Sequence, residues 1–299
     1  MNILNWLGNL FQAFFKQPAP VQPQNSGVIL GNQPTDYFAG VNSPIPYLVR
    51  IPDGNWTPFA FDQRNQFCVC QGKVVDFMSC VTCSLLSTIE AQEFFLTGKQ
   101  VKYSRRWLAK ISGTTREGNY LYKVADAVRN IGLVLESSYP DIVGTWEDYY
   151  ADIPPALNAR LLQEAGLWKT KWDFAYEFLQ VTDPNLDYHL KHSPIQVVIP
   201  GHAIAGIYSP DQLMQYLDSY APYFKKAPVA GLQAAMKGIL TAKGILAREI
   251  GWQGLPELGV YIPADSLQRL DFIKQNLPTW LPGYELDETV YRFPTKKPF

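Results

Sequence analysis

The sequence predicts an α+β fold in which a helical lobe packs against a β-barrel-like lobe, with a cleft between them. Three observations carry that expectation. Cys80 to Leu96 reads as a helix, with Val81, Leu85 and Ile89 spaced by four on one face and Gly98 just past the end. Glu147 to Leu190 is mostly helical in pattern, interrupted at Pro154-Pro155 and at Thr182-Asp183-Pro184. Ile195 to Ile199 is apolar and β-branched, and Pro200-Gly201 breaks it before a strand that opens at His202. Helices first and strands later give each lobe its own layer.

Composition agrees with a packed protein. The 299 residues suffice for one large domain or two, and 47% are hydrophobic at a net charge of −1. That balance argues for a substantial core and against a nucleic-acid partner held through its phosphates. An aromatic content of 14% fits the same picture. No apolar run reaches the ~18 residues of a membrane-spanning helix.

Taken in order, the chain opens on an amphipathic stripe of Ile3, Leu4, Leu7, Leu10, Phe11 and Phe14, with Lys16 its one charged side chain before Asp36. No basic region precedes the apolar residues, as it would in a secretory signal. The stripe reads as a helix packing on its own domain, as a docking element for a protein partner or a membrane surface, or as a pro-segment lying over the cleft. The PAPVQPQNSG stretch behind it reads as a linker and favours docking. His189 and His192 read as exposed residues near a helix end. Past Lys226, an Ala-rich stretch reads as helical and carries a small KGIL echo, Lys237 to Leu240 and Lys243 to Leu246, too short for a repeat architecture. The divisions expected are residues 1–35, an N-terminal helix and linker; 36–226, the central domain; and 227–299, a C-terminal extension.

The chemistry concentrates at Ser79 to Glu90, SCVTCSLLSTIE. A thiol at a helix start, paired with the base His202 and the orienting acid Asp218, is what a cysteine nucleophile requires. Unpaired amides at the helix start stabilise a thiolate, and cysteines so placed reach pKa values of ~3.5 to 7.5.

These residues resemble the papain-like cysteine peptidases. Ser79, Cys80, Ser84 and Thr88-Ile89-Glu90 match that family's Ser-Cys-Trp-Ala-Phe-Ser core and the Thr-Ile-Glu of its helix. GHAIAGIY from Gly201 resembles the strand that delivers the family's histidine, and LDSYAPY resembles its Asn-Ser-Trp segment. The interval from His202 to Asp218 is sixteen residues (218 − 202), the family's own. GNYLYKVADAVRNIGLVLESSYP, from Gly118 to Pro140, resembles its Gly-Gly-Tyr segment, helix and Tyr-Pro turn. The resemblance implies peptide or isopeptide hydrolysis by Cys80, His202 and Asp218 without a cofactor, on a polypeptide substrate lying along Gly118 and Asn119. The family's oxyanion glutamine stands six residues before the cysteine, where this chain has Val74; the nearest candidate is Gln71, followed by Gly72 as in the family. Val81 and Tyr220 replace two tryptophans, and Asp218 stands where asparagine is usual. An aspartate still orients an imidazole and favours its charged form.

Other readings stay open. Cys80-Val-Thr-Cys83 also fits the family's Cys-Gly-Ser-Cys string with Cys83 as nucleophile, at the loss of the Thr-Ile-Glu match. In the preferred register Cys83 is a buried small apolar residue. All four cysteines lie between Cys68 and Cys83 as C-x-C-x9-C-x2-C, which offers a zinc module instead, although the first pair departs from usual spacing. A disulfide from Cys68 or Cys70 to Cys83 is a further option. Divergent members of this kind resemble ones encoded by bacterial viruses, which implies processing of virion proteins, in a particle or the host cytoplasm. The alternative from another class is a structural or assembly protein on a scaffold that has lost turnover.

Overall fold

The computed structural model describes residues 27–30, 50–61, 64–180 and 186–243. The stripe from Ile3 to Phe14, its linker up to Ser26 and the second KGIL segment after Lys243 lie outside these residues. A hairpin of β1 (Phe67–Cys70) and β2 (Lys73–Asp76) precedes helix α1 (Cys80–Thr97), followed by α2 (Arg105–Ile111), α3 (Leu121–Ile131), α4 (Trp146–Tyr149) and α5 (Pro155–Lys171). The chain then lays down β3 (Trp172–Leu179), α6 (Leu186–Leu190), β4 (Ile195–Ile199), β5 (His202–Tyr208), β6 (Leu213–Leu217), β7 (Phe224–Pro228) and β8 (Ala234–Ala242). The last six strands form one antiparallel sheet in the order β3-β8-β4-β5-β6-β7.

Helix α1 runs from Cys80 as the sequence predicts and stops at Gly98, whose φ of 68° supplies the left-handed cap and whose amide donates to the Phe94 carbonyl. One difference is informative. The spacing of Val81, Leu85 and Ile89 predicts a single apolar face, yet nearly every residue from Cys80 to Glu93 is buried. A helix buried all round must settle its polar groups internally. Ser84 and Ser87 donate to the carbonyls of Cys80 and Cys83, and Thr88 to that of Leu85. Glu90 pairs with the buried Arg64 and accepts the Tyr103 amide at 2.7 Å. Gln92 donates to Gly238 O and accepts from Leu240 N, which ties α1 to β8.

The sheet buries apolar residues on both faces. Val198, Met236 and Leu240 join the α1 cluster with Trp172, Phe174, Tyr176 and Phe178. Val197 and Ala235, their neighbours along the strands, join a second cluster with Trp56, Ile195, Ile204 and Met214. That is the two-face alternation of a strand period of two.

Three expectations give way here. Trp172–Leu179 is a strand inside the region read as helical, because Trp172, Phe174, Tyr176 and Phe178 recur at period two and not 3.6. Ala234–Ala242, read as helical, is a strand inserted between β3 and β4, so the sheet continues past Lys226. Its Lys237 faces Glu177 across the ladder at 2.8 Å with neither side chain exposed, and such a pair sits inside a sheet more readily than on a solvated helix. His189 and His192 are buried, not exposed, against the ring of Tyr188.

Candidate active site

Cys80 is the first residue of α1, behind Ser79 at the N-cap. The approach is strained: Met78 has φ 51°, a left-handed value that costs a non-glycine residue, and the Asp76 carboxylate holds it by accepting the Met78 amide at 2.7 Å. The thiol has no exposed surface. Burial pushes it well above the ordinary cysteine range, while the backbone amides of Ala203 and Val81 donate toward the sulfur and pull the other way. Desolvation wins, and nearby Cys83 and Asp76 add to it, so this state holds Cys80 as the thiol.

The Ala203 amide at the sulfur puts the start of β5 beside the start of α1. His202 is the residue before it. Its Nε2 lies 2.7 Å from Asp218 Oδ1, and its Nδ1 is buried without a hydrogen-bond partner among the described residues. An ionised Asp218 makes Nε2 the protonated nitrogen, which leaves Nδ1 as the base. Burial alone would raise the Asp218 carboxyl, but His202 and the ammonium of Lys225, 2.8 Å from Oδ2, together hold it below its ordinary value. The Tyr220 amide donates to Oδ1 at 3.0 Å, and the Tyr220 ring lies 5.2 Å from the imidazole.

Gln71 is elsewhere. It is exposed in the turn joining β1 to β2, with φ 50°. Four-residue strands at ~3.3 Å per residue separate that turn from the hairpin base by about 13 Å. At the base sits Gln66, fully buried, whose Nε2 donates to Asp76 Oδ1 at 2.9 Å and to the Tyr220 hydroxyl at 2.8 Å. Ser219 Oγ donates to Gln66 Oε1 at 2.7 Å, and the Gln66 amide donates to the Ser219 carbonyl. The Tyr220 hydroxyl in turn donates to Asp76 Oδ2. Gln66, Asp76, Ser219 and Lys225 are thus hydrogen-bonded around Asp218 and Tyr220, and the sequence reading does not name them. Gln71-Gly72 between two short runs of alternating residues is a hairpin signal, and removing the hairpin brings Gln66 next to Phe77.

Gly118 and Asn119 meet the chain's own N-terminal segment. Asn119 donates its amide to Gly27 O at 2.8 Å and accepts from Ile29 N at 2.8 Å, a parallel bridge centred on Val28. The approach demands glycine on both sides. A Cβ on Gly118 would stand 1.9 Å from Gly27 O, and one on Gly27 would stand 2.5 Å from Met78 O. Val28 packs against the apolar cluster that contains Cys80. The Asn119 side chain is occupied with Ser112 and Thr114.

The remaining cysteines separate. Cys83 is buried with its sulfur 3.8 Å from Arg105 Nη1 and 3.8 Å from Ser79 Oγ. Cys68 donates to Gly144 O at 3.4 Å from the hairpin. All four are free thiols, and among the described residues no three His, Cys, Asp or Glu side chains are grouped to hold a metal.

No protein-family model matches the chain, and no curated protein matches it. Solved structures do. The chain is similar to xylellain, a cysteine protease from Xylella fastidiosa, at 14% identity and a TM-score of 0.50 over 75% of this chain and 99% of that one. A Carica candamarcensis cysteine protease in complex with E-64 aligns at 15% identity and 0.44 over 65% and 98%. Digestive procathepsin L 3 of Tenebrio molitor larval midgut aligns at 14% and 0.46 over 71% and 75%. The fold is papain-like, with an open six-stranded sheet as its β lobe.

Proposed function

We propose that this chain is a cysteine peptidase, with Cys80 as nucleophile, His202 as base and acid, and Asp218 as the group that orients His202. The observation that carries the reading is the imidazole: Nε2 is committed to Asp218 at 2.7 Å, while Nδ1 is buried and unpartnered among the described residues, one residue from the amide that touches the Cys80 sulfur. The thiol proton passes to Nδ1, and the thiolate attacks a peptide carbonyl. His202 then protonates the leaving amine, and water, deprotonated by His202, hydrolyses the thioester and restores the thiol.

In place of Gln71 the reading takes Gln66 as the side-chain oxyanion donor. Both of its Nε2 hydrogens are engaged, and the one on the Tyr220 hydroxyl is the one that can be redirected, since Tyr220 keeps its own donor bond to Asp76. Gly118 and Asn119 line the backbone groove for an extended polypeptide, and in this state Gly27 to Ile29 fill the hydrogen bonds that such a substrate would use. The pro-segment reading of the N-terminus gains support from that occupancy. A virion polypeptide, implied by the resemblance to phage-encoded members, is the first substrate to try.

Iodoacetamide labelling across pH 4 to 8, with site mapping by mass spectrometry, tests the reading. Selective modification of Cys80 that slows at least tenfold in His202→Ala supports an activated nucleophile. Equal, slow labelling of all four cysteines supports the structural scaffold that has lost turnover.

A further inference from the structure

The family resemblance expects a neutral asparagine behind the histidine, and this chain has a carboxylate there. A bare, buried carboxylate beside an imidazole would change the site's charge by one unit. The structure supplies the missing positive charge: Lys225 Nζ lies 2.8 Å from Asp218 Oδ2, while His202 Nε2 lies 2.7 Å from Oδ1. The Asp218 side chain is only 2% exposed and that of Lys225 17%, so water screens the pair little. Lys225 belongs to β7, and Asp218 is the residue after the last of β6, the adjacent strand. Leu217 pairs with Phe224 across β6 and β7, and the chain turns between them, which delivers Asp218 and Lys225 to the same place.

We propose that Lys225 is a positioning residue of the site, acting through Asp218: it cancels the carboxylate's charge, so that His202 faces a neutral acid–base unit in place of a neutral amide. This rests on the peptidase reading of Cys80 and His202. The depressed carboxyl of Asp218 agrees with it. The other titratable groups around the cluster are Tyr216 on the same strand and Tyr220 two residues on, with Asp76 and Cys80 reaching Asp218 through Tyr220. Among these the ammonium of Lys225 is the cation that touches Asp218.

The consequence differs from that of a residue that merely packs. Without the ammonium, Asp218 is an uncompensated anion that stabilises the imidazolium formed when the thiol proton passes to Nδ1, so that ion pair, once formed, survives to higher pH. When Asp218→Asn is made and the ammonium kept, the effect reverses. Removing both charges restores neutrality.

The experiment is the rate of Cys80 alkylation by iodoacetate against pH in the full chain and its variants, because the anionic reagent is drawn to the imidazolium and its rate falls when that proton is lost. In Lys225→Met the alkaline limb of the profile moves up by about one pH unit or more; in Lys225→Arg it stays with the parent. In Asp218→Asn the limb moves down, and in the double variant Asp218→Asn/Lys225→Met it returns toward the parent. A Lys225→Met profile that overlays the parent, or a double variant no nearer to the parent than Asp218→Asn alone, overturns the inference. If the parent's Cys80 is not selectively labelled, the peptidase reading falls, and Lys225 is judged separately in Cys80→Ser protein by the low-field proton signal of the His202 Nε2–H. That signal moves further downfield in Lys225→Met and back in Lys225→Arg if Lys225 weakens Asp218 as an acceptor, and an unmoved signal overturns the assignment.

Discussion

The amide of Phe77 donates to the carbonyl of Gln66 at 3.0 Å, so two residues separated by a whole hairpin are neighbours at the entrance to α1. Counting positions back from Cys80 leads to Val74 or Gln71, both on the exposed hairpin; following the hydrogen bond leads to Gln66. Replacing Gln66 by Leu lowers kcat/KM by about 10²- to 10³-fold. It also strands Ser219 and Asp76, at about 1 to 3 kcal/mol of stability. Gln71→Ala changes neither quantity. Steady-state kinetics on a peptide pool and a urea melt of both variants check the contrast.

Gly27 is the residue to alter for access to the groove. Its Cβ would meet Met78 O at 2.5 Å, with φ at 95°, so Gly27→Ala is strained and must lift the Gly27–Ile29 segment, a strap over Asn119. Cys80 alkylation then accelerates at least tenfold, equivalent to about 1.4 kcal/mol of lost protection. Stopped alkylation with quantified peptide yields measures it, and an unchanged rate would show that the strap does not guard the thiol.

Glu93 gives a pH-dependent stability term of unusual sign. Burial pushes its carboxyl up to about 7, against the opposing hydrogen bond from the Tyr103 hydroxyl. The folded state therefore holds a proton between pH 4.5 and 7 that the unfolded state has released, so this group's contribution falls as pH rises through that window and is lost above the folded value. Glu93→Gln removes the dependence. The stability difference between parent and variant grows in the variant's favour from about pH 4.5 to 8, by up to about 3 kcal/mol, as chemical denaturation at several pH values would report.

Lys237 and Glu177 form a pair with no exposed surface between β8 and the outer strand β3. Glu177→Ala leaves a buried ammonium without its carboxylate and costs about 3 to 5 kcal/mol, whereas replacing both by Met and Leu costs far less. Thermal melts of the single and double variants separate the two cases. Equal losses would mean that packing, and not charge, governs the site.

The site is legible where residues sit close together along the chain. Cys80 at a helix start and the sixteen-residue step to Asp218 can be read because a helix and a strand pair keep their own local spacing. Gln66 and Lys225 are hidden by insertion and by charge type: a hairpin displaces the first, and the second is one lysine in a run of two with no local mark of its ion pair. In the fold, β8 escapes a sequence reading because alanine favours helix locally, while burial between β3 and β4 decides the outcome. The aromatic alternation of β3 is present in the sequence but outweighed by its helical neighbourhood. The histidines beside α6 are hard to place because His carries no strong burial preference.

The late strand also sets a clock on synthesis. In the sheet order β3 touches only β8, and β4 needs β8 for its second edge. A ribosome-bound chain that has not yet extruded Ala242 therefore carries two open edges, both apolar, although α1 and the histidine strand have already emerged. The nascent protein stays incomplete until the segment beyond Lys226 arrives, and a chain terminated before Ala234 would expose sticky β3 and β4 edges to its neighbours on the polysome.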